Sequence, residues 1–220
     1  WSLVIDTGCP TVTILANDLA IYDGDVGVDR FSATVTFSEA MNPAVMPTLT
    51  LTPNPTTTFT NAGGAWSPGN TVYTWTYDVV DVGVTVADID VVVSGGQDAA
   101  GNVQVLGTNA DYVDIDTQNP TVTSIVASAL LIGDADAGTP FTVTVDFSEA
   151  MNSGSTPTFV SSPSVATTLA FSSGGWVDGD TYQAIYGVTD ADVDQNSVTI
   201  GVINARDAAG NDQQGYTAAH

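Results

Sequence analysis

The chain has no lysine and only two arginines, Arg30 and Arg206, against 25 acidic residues, which gives a formal net charge of −23. Phosphate binding needs basic side chains, so this balance excludes a nucleic-acid partner and disfavours anionic lipid. It favours multivalent cations and keeps a crowded polymer in solution. Adaptation to salty water is an alternative explanation, but several acids recur at matching places in both halves of the chain, which general solubility does not explain.

Nucleophilic and metal-binding side chains are almost missing as well. The one histidine is His220 and the one cysteine is Cys9. Ser–His–acid and Cys–His constellations are therefore not expected within the fold, and zinc spacing and a phosphate-binding G-x-x-x-x-G-K-[ST] loop are both absent. We expect no enzymatic activity, the alternative being a carboxylate pair that cleaves glycosidic bonds. A single cysteine excludes a disulfide framework. No apolar run reaches the roughly 18 residues that span a bilayer, so no membrane insertion is expected.

The 220 residues contain two copies of one unit. FSEAMN occurs at 37–42 and again at 147–152, and Pro10 and Pro120 stand the same 110 positions apart. DAAGN recurs at 98–102 and 207–211. Such a near-constant offset is the mark of a tandem repeat. We predict one domain over residues 8–117 and a second over 118–220, each of a size that supports its own core.

Apolar and polar residues alternate along both units, which predicts β-strands. The pattern is clearest in FSATVTF (31–37), FTVTVDF (141–147) and TVYTWTYDV (71–79), and two further runs, 89–95 and 198–203, are apolar enough for buried strands. Turn residues separate these runs, and no stretch has a sustained helical period. We predict an all-β fold of two tandem immunoglobulin-like antiparallel β-sandwich domains, with a small barrel as the alternative.

Three motifs recur in both units: V/I-D-T-x-x-P-T-V, F-S-E-A-M and D-A-A-G-N. Together they resemble the bacterial immunoglobulin-like (BIg-type) tandem domains of giant repetitive surface adhesins, and the resemblance covers both units. It implies extracellular modules that stack end to end, with calcium at the joints between them.

Carboxylates are expected to gather at the two poles of each sandwich. Tracing the strands places Asp23 and Asp25 at the lower pole of the first domain, and Glu149 and Asp207 at the upper pole of the second. Unpaired carboxylates repel one another, and Ca²⁺ prefers six to eight oxygen ligands, so we predict calcium there. Turn capping, simple solvation and a loop-bracing hydrogen bond are the alternatives. The predicted ligands are Asp6, Asp23, Asp25, Glu39, Asp98, Asn102, Asp114, Asp116, Asp134, Asp136, Glu149, Asp207 and Asn211.

The first residues match the end of the repeat. SLVIDT (2–7) corresponds to YVDIDT (112–117), the predicted last strand of the first domain. We therefore interpret residues 1–7 as an orphan last strand of a preceding or neighbouring domain, and 118–220 as a domain that lacks its own. Either the chain is a window on a longer tandem polypeptide, or separate subunits complete one another by strand donation, or the cut at the domain edges is arbitrary.

These patterns favour an extracellular structural spacer or fibre module whose partners are neighbouring copies of the same repeat. A glycan- or surface-binding adhesin module is the alternative. It would use the Thr-rich stretches at 48–60 and 156–168 as a regularly spaced hydroxyl face toward a glycan, ice or a host surface ligand. The pairs of glycines before Trp66 and Trp176 predict Gly-rich turns, and both tryptophans are expected to pack in the core or at a sheet edge.

Overall fold

The computed structural model describes Trp1 and residues 3–217, without the side chain of Ala62. Ser2, which belongs to the predicted orphan strand, and His220 lie outside the described residues. The chain divides into two compact units, Trp1–Gln118 and Asn119–His220. Apart from two short 3₁₀ turns, the regular structure is β, which confirms the prediction of an all-β sandwich fold. Within the described part of the chain, no helix is long and apolar enough to cross a bilayer.

Unit 1 consists of two four-stranded sheets, ordered β1-β3-β6-β5 and β2-β8-β7-β4. In sandwich notation these are A-B-E-D and A′-G-F-C, the strand order of an immunoglobulin-type sandwich with one added edge strand. The strands are β1 (Val12–Ala16), β2 (Ala20–Tyr22), β3 (Gly27–Phe37), β4 (Thr48–Thr52), β5 (Phe59–Trp66), β6 (Val72–Val79), β7 (Thr85–Ser94) and β8 (Gly107–Asp116).

Unit 2 repeats the first sheet and carries a smaller version of the second. The sheets are ordered β12-β13-β10-β9 and β11-β14-β15. The strands are β9 (Val122–Ala127), β10 (Pro140–Phe147), β11 (Thr158–Ser162), β12 (Leu169–Trp176), β13 (Thr181–Val188), β14 (Thr199–Ile203) and β15 (Tyr216–Thr217). The 3₁₀ turns Asp23–Asp25 and Asp134–Asp136 occupy the same place in the two units.

One strand pair in unit 1 departs from the antiparallel prediction. β2 pairs with β8 in parallel, with Ile21 opposite Ile115. The chain crosses from one sheet to the other between β1 and β2, so β2 covers the free edge of β8 and runs in the same direction. Only three residues take part, which is too short a segment for periodicity to reveal.

The glycine pairs that precede Trp66 and Trp176 are not turns, so the prediction of Gly-rich turns there is wrong. Both pairs lie inside strands, β5 and β12, each of which has a register shift in its pairing. The buried ring of Tyr73 lies against Gly64, and that of Tyr182 lies against Gly174. Glycine is needed at these places because the neighbouring ring occupies the space of a Cβ. The glycine pairs therefore mark close packing of a tyrosine ring on the strand, not a turn.

The core of unit 1 is one contiguous cluster of buried side chains, in which Phe31 stacks on Phe59 at a centroid distance of 4.2 Å. In unit 2 the buried residues form two separate clusters, one around Val145 and Phe147 and a smaller one around Phe141. Both tryptophans pack on core aromatics as predicted, Trp66 on Phe37 and Trp176 on Phe147.

Candidate metal site

The DAAGN motif of unit 1 forms a closed loop around one buried carboxylate. Asp98 is 1% exposed. Its Oδ1 accepts hydrogen bonds from the backbone amides of Ala100 at 2.8 Å and Asn102 at 2.9 Å. Its Oδ2 accepts one from the Asn102 side chain at 2.7 Å. An isolated β-bridge to Met41 ties the loop to the end of the FSEAM motif.

The hydrogen bonds keep Asp98 ionised. Burial raises the pKa of a carboxyl group, but the bonds from the Asn102 side chain and from the amides of Asn102, Ala100 and Gly101 together outweigh it, so the pKa of Asp98 lies below its usual value. A carboxylate that stays charged while nearly enclosed can still attract a cation at its remaining lone pairs.

Three carboxylates of unit 1 meet at this pole. One carboxylate oxygen each from Asp6, Glu39 and Asp98 lies within 4.8 Å of the others. Asp6 is exposed, Glu39 is half-buried and Asp98 is buried, so the group is open to solvent on one side. Asn102 adds a link to Asp6, since its Nδ2 lies 3.3 Å from the Asp6 carbonyl oxygen. Sequence reasoning named all four residues, but only the fold shows that they share one place.

Unit 2 builds the same loop from its second copy of the motif. The Oδ1 atom of Asp207 accepts from the amides of Gly210 at 2.6 Å and Asn211 at 2.9 Å, and its Oδ2 accepts from the Asn211 side chain at 2.9 Å. Met151 bridges to Asp207 as Met41 does to Asp98. Carboxylate oxygens of Glu149 and Asp207 lie within 4.8 Å of each other.

Most of the other predicted ligands with described contacts accept hydrogen bonds from the backbone. In the two 3₁₀ turns, Asp25 Oδ2 accepts from the Tyr22 amide at 3.1 Å and Asp136 Oδ2 from the Gly133 amide at 2.8 Å. Tyr22 pairs with Asp116 at the end of β8, so Asp116 and the turn holding Asp23 lie at the same end of unit 1. The turn holding Asp134 precedes β10 in unit 2, whereas Glu149 follows it.

The two predicted ligands in β8 stabilise the strand through hydrogen bonds. Asp114 Oδ1 accepts from the backbone amide of Asp88 at 2.9 Å. Asp116 Oδ1 accepts from Thr85 Oγ1 at 3.0 Å and from the Gln118 amide at 3.2 Å. These contacts give hydrogen-bond acceptors to donors near the part of the β7–β8 pair where the register shifts. The predicted joint that would use these acids as ligands stays a prediction.

Two glutamines escaped the sequence reasoning although they recur. Gln104 and Gln213 each stand two positions after the DAAGN motif, and both are buried. Gln104 accepts from the Gly96 amide at 3.0 Å and donates to Val93 O at 3.1 Å. Gln213 makes the same pair of bonds to Ala205 and Val202, at 3.1 and 2.9 Å. Their recurrence at the same position in both copies was the available signal. A polar residue that is repeated beside an acidic loop indicates a hydrogen-bonding role in that loop.

The serine of FSEAM also has a repeated role. Ser38 Oγ accepts from the Thr11 amide at 3.0 Å, and Ser148 Oγ accepts from the Thr121 amide at 2.9 Å. Each bond ties the start of its unit's first strand to the loop that carries Glu39 or Glu149. The hexapeptide therefore recurs because several of its side chains hold one pole together.

The first five residues of the Thr-rich stretch of unit 1 form strand β4, in which Thr48, Thr50 and Thr52 are exposed on one face and Leu49 and Leu51 are half-buried on the other. In β11 of unit 2 the exposed face carries Thr158, Val160 and Ser162 instead. A ligand for the threonine face stays a prediction. No family model matches the chain, and no curated protein matches its sequence.

Proposed function

We propose that this chain is an extracellular structural spacer or fibre module of a repetitive cell-surface protein or filament, stiffened by calcium at the joints. The observation that carries the proposal is the repeated pole: each unit closes a DAAGN loop around one buried aspartate and sets a FSEAM glutamate beside it. Two copies of one architecture, with the same polar device in the same place, suit a mechanical repeat better than a single catalytic centre.

The donor chemistry of the unit 1 pole fits calcium. Asp6, Glu39 and Asp98 offer hard, anionic oxygens, and the chain has no lysine to neutralise them. Magnesium is a poorer match because it demands strict octahedral geometry and retains its waters. For modules outside the cell, calcium affinities of about 10⁻⁴ to 10⁻³ M are typical.

Thermal unfolding with and without calcium tests the proposal. A ligand at 100 times its Kd stabilises the folded state by about 2.7 kcal/mol. At roughly 4 °C per kcal/mol for a domain of this size, unit 1 should melt about 10 °C higher in excess calcium than in a chelator. Magnesium at the same concentration should have a smaller effect.

A matched pair of variants separates the site from general charge screening. Glu39→Gln removes one carboxylate of the cluster and should abolish most of the calcium-dependent rise in Tm. Asp18→Asn removes the same charge away from the cluster, at a half-buried residue whose side chain caps the Ala20 amide at 3.1 Å, and should leave the rise intact. An equal response in both variants, or no response in the wild type, would remove calcium from the proposal.

A further inference from the structure

Strand β4 forms one edge of the second sheet of unit 1. It pairs with β7 along its whole length, Thr48–Thr52, and no strand in the described part of the chain pairs with its other side. Every second residue of such an edge directs its N–H and C=O groups away from the sheet, where they can pair with a further strand. Natural edge strands are commonly protected by charged side chains, and β4 has none.

The segment that contains β4 is uncharged, although the chain as a whole is strongly acidic. Residues 40–77, which include both β4 and β5, contain no acidic or basic residue. The acid that lies opposite Thr52 is Asp90, on the inner strand β7, where its Oδ1 accepts a hydrogen bond from the Asp111 amide at 2.9 Å. A second copy of the chain can therefore approach this edge without setting one edge carboxylate against another.

The sequence of this edge reads the same in both directions. Residues 47–53 are PTLTLTP, with Thr50 at the centre. When two such strands pair antiparallel about Thr50, every threonine lies opposite a threonine and every leucine opposite a leucine. A shift by one residue would set threonine against leucine. A shift by two would bring Pro47 or Pro53 into the pairing, and proline has no N–H to donate.

We propose that two copies of this chain pair through β4 of unit 1, antiparallel and about a two-fold axis at Thr50. The contact joins the second sheets of the two copies into one continuous sheet, and it goes beyond the proposed spacer function because it associates repeats side by side. Backbone hydrogen bonds supply affinity, and the matched cross-strand side chains supply register. Both copies use the same surface, so the assembly closes at a dimer.

Both faces of the joined sheet gain matched side chains. On the exposed face, Thr48 of one copy lies opposite Thr52 of the other, and threonine pairs across strands are stabilising. On the opposite face, Leu49 of one copy lies opposite Leu51 of the other. These leucines are half-buried and line a groove of about 260 Å³ together with Phe59 and Tyr77. Pairing therefore removes further apolar surface of the leucines from water.

Unit 2 provides an internal comparison. Its strand β11 is also an edge without charged side chains, but residues 157–163 are PTFVSSP. Antiparallel self-pairing of this strand would set Phe159 opposite Ser161 on the half-buried face. An aromatic ring and a hydroxyl do not form a matched apolar pair, so we expect no self-pairing of β11. Each chain then offers one self-complementary edge.

Disulfide trapping in the full chain tests the register. Cys9, the one cysteine, is first replaced in Cys9→Ser. Residues directly opposite each other in an antiparallel pair have Cα atoms about 4.5–5.5 Å apart, which a disulfide spans. Thr50→Cys should therefore form a covalent dimer under mild oxidation at least ten times faster than Thr48→Cys, whose two copies lie about 14 Å apart in this register. A mixture of Thr48→Cys and isotope-labelled Thr52→Cys chains should form the mixed dimer faster than either chain forms its own.

Sedimentation equilibrium of the Cys9→Ser chain supplies a second measurement. Chelator excludes calcium, and about 0.15 M salt limits repulsion between the acidic copies to roughly 8 Å. Interfaces below about 1,200 Å² are weak, so the series extends to high protein concentration, where the mass should approach that of a dimer and rise no further. Thr50→Asp should remain a monomer, whereas Val160→Asp, at the matching exposed position of β11, should dimerise as before.

Three results would overturn the proposal. They are equal trapping rates for Thr50→Cys and Thr48→Cys, no trapping of Thr50→Cys, and an equal effect of the two aspartate substitutions on the mass. The trapping comparison does not depend on the aspartate variants, and neither measurement depends on calcium.

Discussion

Replacing Gly64 with alanine tests the reasoning that placed a glycine pair inside a strand. An alanine Cβ at Gly64 would lie 2.7 Å from Cε1 and Cζ of Tyr73, and closer still to its hydroxyl oxygen. Tyr73 is 5% exposed, and its ring packs against Trp66 and Trp75 at centroid distances of 5.0 and 4.8 Å. The ring therefore cannot move aside without disturbing the core.

The expected magnitude follows from two opposing effects. Overpacking a well-filled core costs about 1–3 kcal/mol. Alanine gains about 0.5–1 kcal/mol over glycine in a strand, because it loses less conformational freedom on folding. Gly64→Ala should therefore destabilise unit 1 by about 0.5–2 kcal/mol, which lowers Tm by roughly 2–8 °C at about 4 °C per kcal/mol.

The neighbouring glycine is the control. At Gly63 the nearest atom to a new Cβ is Thr76 O at 4.0 Å, so Gly63→Ala should be neutral or slightly stabilising. Unit 2 offers the same comparison, since a Cβ at Gly174 would lie 2.9 Å from Tyr182 Cζ, whereas one at Gly175 meets nothing within 4 Å. Differential scanning calorimetry measures all four variants. If Gly64→Ala were as stable as Gly63→Ala, the close packing of the tyrosine ring would not be the reason for the glycine.

Two further predictions concern side chains away from the metal cluster. Hydrogen bonds from the Asn61 side chain and the Asp29 amide lower the pKa of Asp78, so its stabilising effect is complete above the usual value of about 3.9 and is lost as the pH falls through the lower folded value. The stability advantage of the wild type over Asp78→Asn in urea unfolding should therefore shrink below about pH 4; a difference that is independent of pH would contradict this. Trp176 Nε1 donates to Ser155 O at 3.0 Å, whereas the buried Trp66 Nε1 has no hydrogen-bond partner in the described part of the chain. Trp176→Phe should thus cost about 0.5–1.5 kcal/mol more than Trp66→Phe in denaturant unfolding, and equal costs would count against the bond.

The contrast between the two units explains which strands periodicity can find. The runs 31–37 and 141–147 alternate cleanly because one face of β3 and β10 is buried and the other is half-exposed. β5 and β12 escaped prediction because their glycine pairs imitate a turn, and β2 escaped because it is three residues long. The glycine pairs reflect contacts with distant tyrosine rings, which local alternation does not record.

The candidate site was also predictable only in part from the sequence. The recurrence of FSEAM and DAAGN in both halves was enough to select Glu39, Asp98 and their counterparts as residues with a shared role. Recurrence did not reveal that the Asp114 and Asp116 carboxylates accept hydrogen bonds from the Asp88 amide and the Thr85 hydroxyl, because both donors lie on β7, about 30 positions earlier in the chain.

Sequence by itself determined that this protein is a repeat of two β-rich units with a strongly acidic surface, because side-chain alternation, repeat offset and charge are all properties of the chain as written. Tertiary structure alone decided that Asp6, Glu39 and Asp98 meet and that Gly64 lies beneath Tyr73. Those outcomes depend on strand register and on bulges, which bring together residues many positions apart, and only the packed fold specifies them.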